Sequence, residues 1–319
     1  MAMATLLSVL ALAVAGATLV QAQSYPNRPV RFMVPGAAGG PTDVPARIVA
    51  DALSNMLGQR FVIENRMGAG GMLSGEAVAR AEPNGYTLLY GNSSVLSINP
   101  ALFAKMPYDT ATAFSMVGFV SDSPQLLVTH PKFPAKNVRE LLEYSKANPG
   151  KINFAVAGSG TLPHLTYELF KLTTGLAAVA VPYNGGAPAL QAVVSGQADL
   201  LFDLIRTRVI SGELRALAIT ASVRDPDLPD VQTITEAGYP EVVSTSWTGI
   251  AAPAGTPREI IQFLNGKLNE LNKSPDFRAK MRSMGLVPRA GSPEEFDAWA
   301  IAQRAKWAQV VKASGAKAN

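Results

Sequence analysis

The chain has 319 residues, of which 48% are hydrophobic and 16% are charged, so it has enough apolar side chains for more than one buried core. Its net charge is only +4 and its basic residues are scattered singly, which argues against a nucleic-acid-binding protein, because such proteins concentrate Lys and Arg on one face. The chain has no cysteine and only two histidines, so we expect no disulfide, no Cys/His nucleophile, no metal site and no cofactor.

The first 22 residues have the composition of a secretory signal peptide. They carry no charge, residues 6–20 are almost entirely apolar, and Val20-Gln21-Ala22 is a small-x-small cleavage pattern. We expect cleavage near Ala22 and export to the periplasm, without membrane insertion of the mature chain, because no later stretch has about 18 consecutive apolar residues. The usual positive residues are missing at the start, so a different start codon and an uncleaved membrane anchor stay open as alternatives.

Predicted strands and helices alternate from residue 30 to residue 92. Apolar β-branched runs closed by Pro, Gly or Asn predict strands, and the amphipathic segment that begins at Thr42 or Asp43 and stops at Gly58 predicts a helix. The predicted order is strand 30–36, helix 42–58, strand 61–66, helix 72–83 and strand 86–92. This alternation is typical of βαβ units with a parallel sheet.

The same pattern returns between residues 124 and 221, and the tail is mainly helical. The predicted strands are 124–130, 152–158, 177–183, 198–203 and 215–221, with helices at 137–150, 162–175 and 187–197. A strand-like run at 244–256 precedes two or three helices with Pro257, Pro275 and Pro293 near their starts. By length and pattern we predict an α/β protein with two units.

Short runs of small residues follow several of the predicted strands, at 36–43, 158–161 and 184–186, and Ser93-Ser94 follows another. A small-residue loop that enters a helix exposes N–H groups without intrahelical partners, and the helix dipole adds partial positive charge, so a carboxylate fits there. Any one such loop is more simply a strand-to-helix turn. Together they would line one cleft, because strands of open α/β sheets end at a common rim.

Two enzymatic interpretations have less support. No G-x-S-x-G elbow occurs, so an exported hydrolase would have to pair Ser159 with His164, which is otherwise a helix-start residue or a ligand contact. The run GAGGMLSG at 68–75 superficially resembles a dinucleotide-binding fingerprint, but Leu73 stands where the third glycine belongs. A tight turn is the simpler interpretation of that run.

Six sequence blocks, in unbroken order from Tyr25 to about Lys312, resemble the periplasmic receptors of tripartite tricarboxylate transporters, the Bug family. They include VRFMVPGAAGGPTDVPAR, VPYNGGAPALQAVVSGQADLLFD and TSWTGIAAPAGTP. The resemblance implies a type II periplasmic binding-protein fold, in which two α/β lobes are joined by two crossover strands, near 124–130 and 244–251, and the ligand lies between the lobes. Lobe 1 would comprise residues 23–124 and 244–319, and lobe 2 residues 125–243.

The resemblance also implies a non-enzymatic, monomeric receptor that delivers a small carboxylate to the membrane subunits of such a transporter. Residues 36–43 would hold the carboxylate through backbone groups and bridging water, without an arginine. The implied ligand-binding residues are Gly36, Ala37, Ala38, Gly39, Gly40, Thr42, Asp43, Ser93, Ser94, Gly158, Ser159, Gly160, Thr161, His164, Tyr183, Asn184, Gly185 and Asp203. A receptor that signals to a sensor protein is the alternative, and dicarboxylates, aromatic acids and nicotinate-like acids all stay open as ligands.

The chain departs from the family pattern in the first loop and after the strand 198–203. Gly36 stands where relatives usually have an aromatic residue and Pro41 where they have a glycine, so the loop would be roomier at one end and stiffer at the other. The family's Asn and Pro-containing segment is replaced by LIRTR at 204–208. We expect Leu204 and Arg206 to alter ligand recognition, although a solvated surface pair is the simpler interpretation of Arg206 and Arg208.

Asp203 at the end of the strand 198–203 is a carboxylate in a site proposed for carboxylates. Its charge would repel a second carboxylate and would suit an amino or hydroxyl group. We therefore expect Asp203 to contact the part of the ligand away from its captured carboxylate.

Overall fold

The computed structural model describes residues 25–317, so the predicted signal peptide at 1–22 lies outside the described residues. The described strands are β1 Val30–Val34, β2 Phe61–Asn65, β3 Thr87–Asn92, β4 Phe114–Pro124, β5 Leu126–Thr129, β6 Ile152–Ala157, β7 Ala178–Tyr183, β8 Leu200–Asp203, β9 Arg215–Ile219, β10 Thr245–Pro253 and β11 Val287–Pro288. The described helices are α1 Asp43–Leu57, α2 Met72–Ala79, α3 Asn99–Leu102, α4 Val138–Ala147, α5 Leu162–Thr174, α6 Gly186–Val194, α7 Arg206–Ile210, α8 Arg258–Lys273, α9 Pro275–Arg282 and α10 Pro293–Ser314.

The strands form two separate sheets, each covered by helices, so the molecule has two α/β lobes. We call lobe 1 the six-stranded sheet, in the order β11-β4-β10-β3-β1-β2, with its helices, and lobe 2 the five-stranded sheet, in the order β7-β6-β8-β5-β9, with its helices. In lobe 1, β2 and β3 are both parallel to β1. In lobe 2, β7 and β8 are both parallel to β6. The predicted α/β class and the parallel βαβ units are confirmed.

Both sheets also contain antiparallel strands, which the βαβ pattern does not predict. β10 lies antiparallel between β3 and β4, and β5 lies antiparallel between β8 and β9. The parallel βαβ pattern therefore does not extend to these strands. β5 and β10 are the strands by which the chain enters lobe 2 and returns to lobe 1. Their direction in each sheet is set by the point at which the chain crosses between the lobes, and local sequence does not determine it.

Each sheet buries apolar side chains on both faces. In lobe 1, Phe32 faces a core shared with α1 and α8, and its neighbour Met33 faces a second core shared with α2 and α10. In lobe 2, Phe154 packs with α4 and α5, and the adjacent Ala155 packs with α6. Successive strand residues point to opposite faces, so a continuous apolar run such as β1 is what a sheet covered on both sides requires.

Local signals explain most helix boundaries. Gly58 ends α1 in the left-handed conformation, with φ of 66°, as its position in the sequence predicts. Asn137 caps α4 by accepting a hydrogen bond from the Glu140 N–H, and Ser292 forms a capping box with Glu295 at the start of α10. None of the helices described between residues 25 and 317 has the length and apolar composition that a membrane crossing requires.

The chain passes between the lobes at two adjacent points. It leaves lobe 1 at Pro124, the last residue of β4, and enters β5 at Leu126; it returns at Thr245, the first residue of β10. Thr245 pairs with Pro124, so the two connections lie side by side. Between them the buried amide of Gln125 donates to the hydroxyls of Thr166, at 2.7 Å, and Ser244, at 3.2 Å.

Candidate ligand-binding site

The direction of the strands brings the predicted loops to facing edges of the two lobes. β1, β3 and β4 run in the same direction, so residues 36–43 and Ser93-Ser94 leave lobe 1 at the edge where β4 ends. β6, β7 and β8 end at the edge of lobe 2 where the antiparallel β5 begins. Since β4 leads directly into β5, these two edges face each other across the connections.

The first loop, residues 36–43, is shaped by the buried carboxylate of Asp43. Its Oδ2 accepts hydrogen bonds from the Gly39 N–H at 2.8 Å and from Arg47 Nε at 2.7 Å, and its Oδ1 accepts one from Asn65 Nδ2 at 2.8 Å. Burial raises the pKa of Asp43, but these hydrogen bonds outweigh it and hold the pKa below its ordinary value. Asp43 is therefore ionised at neutral pH, and both of its carboxylate oxygens already accept hydrogen bonds from the protein itself.

The backbone of this loop keeps free donors. Within residues 25–317, the N–H groups of Ala37, Ala38 and Thr42 donate to no acceptor, whereas those of Gly39 and Gly40 are bonded inside the loop. Ala37 and Ala38 are exposed, and Thr42 lies directly before α1. Free N–H groups at the start of a 15-residue helix form an environment suited to an anion.

Ser93 and Ser94 lie at the end of β3, next to the first loop. The Asn92 side chain accepts a hydrogen bond from the Val95 N–H at 3.1 Å, and the chain then forms a single π-helical turn, Ser94–Ile98. Turns of this kind occur frequently at functional sites. Ser93 is buried and Ser94 is partly exposed, so the two hydroxyls differ in their access to solvent.

In lobe 2, the side chain of His164 holds the loop 158–161 in position. Its Nδ1 accepts a hydrogen bond from the Gly160 N–H at 3.0 Å, and its Nε2 lies 3.7 Å from Glu168. Burial lowers the pKa of His164, which favours the neutral ring that an accepting Nδ1 requires. The N–H groups of Ser159 and Thr161 have no acceptor within residues 25–317 and so remain available.

This arrangement argues against a hydrolase that uses Ser159 and His164. Ser159 Oγ donates to the carbonyl oxygen of Lys317 at 3.0 Å, and His164 Nδ1 is occupied by Gly160. In the described part of the chain, no hydrogen bond joins Ser159 to His164. A nucleophile must be within hydrogen-bond reach of its base, so the pair lacks the geometry of a catalytic dyad.

The remaining predicted residues of lobe 2 lie at the ends of β7 and β8. Gly185 has φ of 110° and precedes α6, and a Cβ built at Gly186 would lie 4.0 Å from Asp203 Oδ2. Asp203 therefore faces the start of α6. Burial raises the pKa of Asp203, although its own turn opposes this because Oδ1 accepts a 2.6 Å hydrogen bond from the Leu204 N–H.

The two facing edges of the lobes, which we call the rims, approach each other directly. A Cβ built at Gly160 in lobe 2 would lie 3.1 Å from Leu102 Cδ1, in the helix that follows the Ser94–Ile98 turn of lobe 1, and 3.6 Å from the Lys317 carbonyl oxygen. The residues beyond α10 thus lie against the loop of lobe 2. Sequence reasoning missed this role of Lys317 and the role of Asn65, whose amide also donates to the Gly36 carbonyl at 2.9 Å.

The expectation of a solvated pair at Arg206 and Arg208 is wrong for Arg206. Arg206 is only 8% exposed, and its Nε donates to Asp225 Oδ2 at 2.5 Å, whereas Arg208 is partly exposed and pairs with Glu213. A buried guanidinium needs such a partner, because an unpaired charge is costly away from water. Asp225, 19 residues further along the chain, carries no local sequence signal of this pairing.

A cavity of about 470 Å³ lies elsewhere between the lobes. Residues of both lobes line it, among them Asp122, Arg206, Arg224, Leu286 and Trp299. None of the predicted ligand-binding residues lines this cavity. Between residues 25 and 317, no group of three or more His, Asp or Glu side chains is arranged to hold a metal ion.

Known proteins resemble the chain along nearly its whole length. The model of the tripartite tricarboxylate transporter family receptor matches residues 45–316. Protein BugT of Bordetella pertussis is 38% identical over 99% of both chains. Among solved structures, R. palustris Rpa4515 with adipate is 36% identical with a TM-score of 0.77, covering 92% of this chain and 100% of that one. MatC from Rhodopseudomonas palustris with bound malate is 35% identical with a TM-score of 0.72, covering 90% of this chain and 100% of that one.

Proposed function

Because the chain belongs to the tripartite tricarboxylate transporter receptor family, we propose that its two lobes capture a small carboxylate and deliver it to the membrane subunits of a transporter. The observation that carries the proposal is the facing of two rims that both present unpaired backbone N–H groups. In lobe 1 these are the groups of Ala37, Ala38 and Thr42, and in lobe 2 those of Ser159 and Thr161. The receptor would act in the periplasm, as a monomer, after cleavage near Ala22.

The carboxylate would be held by backbone N–H donors, without an arginine. Each of α1, α5 and α6 begins at one of these loops, and the N-terminus of a helix carries partial positive charge. Small residues such as Ala37 and Gly185 let a ligand oxygen approach the main chain closely. Asp43 and His164 would contribute by shaping their loops, and the ligand would meet the N–H groups that they leave free.

Asp203 would set the choice among carboxylates. Its raised pKa and its position facing α6 suit contact with a hydroxyl, an amino group or a protonated distal carboxyl. Structures of relatives contain adipate and malate, which are both dicarboxylates. We therefore propose dicarboxylates as the first ligand class, with the lobes bounded as 23–124 plus 244–319 and 125–243 and hinged where the connections cross.

Thermal unfolding with added ligands tests this function. We expect adipate, malate or a related acid to raise the unfolding temperature by several degrees, because a ligand at 100 times its Kd stabilises a protein by about 2.7 kcal/mol. The matched controls are the diamides of the same acids, which keep the carbon chain and lack the charge. The assignment is wrong if diamides or another ligand class stabilise the protein while no organic acid does.

A further inference from the structure

Two cations, the buried Arg206 of lobe 2 and the partly buried Lys306 of lobe 1, reach across to backbone carbonyls of the opposite lobe. Arg206, at the start of α7 in lobe 2, donates from Nη1 to the carbonyl oxygen of Gly285 in lobe 1 at 2.5 Å. Its Nε is held at the same time by Asp225 of its own lobe. Arg206 therefore links the lobes from one wall of the interlobe cavity to the other.

Lys306 on α10 makes the reciprocal link. The first half of α10 packs in the core of lobe 1 through Phe296 and Ala300. Further along the helix, Lys306 Nζ donates to the carbonyl oxygens of Glu241, at 3.0 Å, and Val243, at 2.5 Å, in the segment that completes the lobe 2 core. Both links lie close to the points where the chain crosses between the lobes.

The surroundings of Arg206 leave room for its contact with the opposite lobe. Gly285 has φ of +74°, and a Cβ placed there would lie 2.8 Å from Arg206 Nη1, so only glycine leaves room for the guanidinium. Ser123, next to the first connection, also donates to the Gly285 carbonyl at 3.4 Å. Backbone carbonyls are a poor substitute for water around a charge unless they are held in position. The Gly285 carbonyl follows the end of α9, and those of Glu241 and Val243 belong to the short 3₁₀ turn Pro240–Val242 and the residue after it.

The hinge region is connected to the candidate ligand loop. Gln125, at the first connection, donates to Thr166 on α5, and the Thr166 and Ser244 hydroxyls lie 2.7 Å apart. α5 begins directly after the loop 158–161. The connection between the lobes is therefore hydrogen-bonded to the helix that follows this loop.

We propose that Arg206 and Lys306 are positioning residues that hold the two lobes in the arrangement in which the rims face each other for capture. The consequence for ligand affinity rests on the proposed function; the effect on lobe positions does not. Arg206 lies in the segment 204–208, which the sequence comparison with the family pattern predicts to be atypical.

The distance between the lobes in the ligand-free protein tests the proposal. The chain has no cysteine, so spin labels go only to introduced sites, such as exposed Asn55 on α1 and Arg139 on α4. We expect the label distances measured by double electron–electron resonance to be broader in Arg206→Met and Lys306→Met than in the parent. Matched controls are Arg208→Met, whose ion pair lies within lobe 2, and Lys312→Met, which is exposed on α10; both should overlay the parent.

Removing Arg206 leaves Asp225 buried without its partner, so misfolding must be separated from loss of the link. The double variant R206M/D225N removes both charges and keeps the test possible if the single variant does not fold. We expect any stabilising acid to bind about tenfold more weakly to the link variants, as loss of a charge-assisted hydrogen bond predicts. Folded link variants with parental distance distributions would overturn the proposal, whereas broadened distributions without carboxylate binding would leave it standing and overturn the function instead.

Discussion

The side chain of Asp43 is fully buried at the start of α1, and both of its oxygens accept hydrogen bonds from the loop 36–43 or its neighbours. His164 has the corresponding place in lobe 2, where it accepts from the Gly160 N–H. Their positions in the chain made both of them predicted ligand contacts. Their hydrogen bonds indicate that each organises a loop, and such a distinction depends on side-chain geometry that the order of residues does not encode.

Lys306 should make the free energy of unfolding depend on pH in a specific way. Burial lowers its pKa from the ordinary 10.5 to about 8, although Glu241 opposes this shift. Between pH 8 and 10.5 the unfolded chain would hold a proton that the folded protein has released, so the free energy of unfolding should rise with pH in this window. The gain would be at most about 3 kcal/mol, since each pKa unit corresponds to 1.36 kcal/mol.

Urea unfolding of the parent and of Lys306→Met at pH 7, 8, 9 and 10 measures this effect. The difference in unfolding free energy between the two proteins should grow in favour of the parent from pH 8 upward and stay constant below it. Other groups titrate equally in both proteins, so the difference isolates Lys306. Parallel curves across the whole range would show that Lys306 has an ordinary pKa in the folded protein.

At the scale of elements, helix boundaries were more predictable than strand pairing. Gly58, Asn137 and the prolines at the starts of α8, α9 and α10 mark helix ends by local chemistry, and each helix predicted from them is present. No element was predicted at β4, and the segment 204–208 was not predicted to begin the short helix α7. The pairing of Thr248 with Asn92 joins residues distant in the chain, and no local period specifies it.

The loop 158–161 allows a prediction about contact between the lobes. Gly160 and Gly175, at the two ends of α5, both have φ of +72°, so alanine at either position should cost about 1–2 kcal/mol in backbone strain. Only at Gly160 would the new Cβ also meet Leu102 of lobe 1, because nothing lies within 4 Å of a Cβ at Gly175. We expect Gly160→Ala alone to weaken carboxylate binding, beyond the loss of stability that the two variants share.

Calorimetric titration with the best stabilising acid, together with the unfolding temperature, separates the two effects. Gly175→Ala serves as the matched control, since it carries the same strain at the far end of the same helix. Equal ligand affinities in the two variants would mean that the approach of Gly160 to Leu102 has no part in capture.

At the scale of the whole molecule, each lobe has cores of its own, and one small cluster joins them. Ile98 of lobe 1, Leu162 and Leu165 of lobe 2, and Trp307 and Val310 of α10 pack together, and Trp307 is fully buried. The two α/β units followed from chain length and the repeated βαβ pattern, and the two-lobe arrangement followed from the resemblance to the family. This cluster did not, because it depends on where α10 lies after the lobes have formed.

Trp307 should therefore determine whether the lobes unfold together. Trp307→Ala should cost about 3–5 kcal/mol, as loss of a large buried aromatic side chain generally does, and it would remove an apolar contact between the lobes while leaving the other cores intact. We expect the lobes to separate into two transitions in urea. In the variant, fluorescence comes from Trp247 and Trp299, which both pack in the lobe 1 core, whereas circular dichroism reports helices of both lobes.

The measurement compares these two signals in the same samples. The parent should give coincident curves, as expected for cooperative unfolding, and Trp307→Ala should give curves with different midpoints. Ile301→Ala, at an exposed position of the same helix, controls for changes to α10 itself and should resemble the parent. Coincident curves in a destabilised Trp307→Ala would show that the remaining interlobe contacts, including the two crossing segments, the hydrogen bonds of Gln125 and the Arg206 and Lys306 links, are sufficient to couple the lobes. The cluster would then contribute stability without cooperativity.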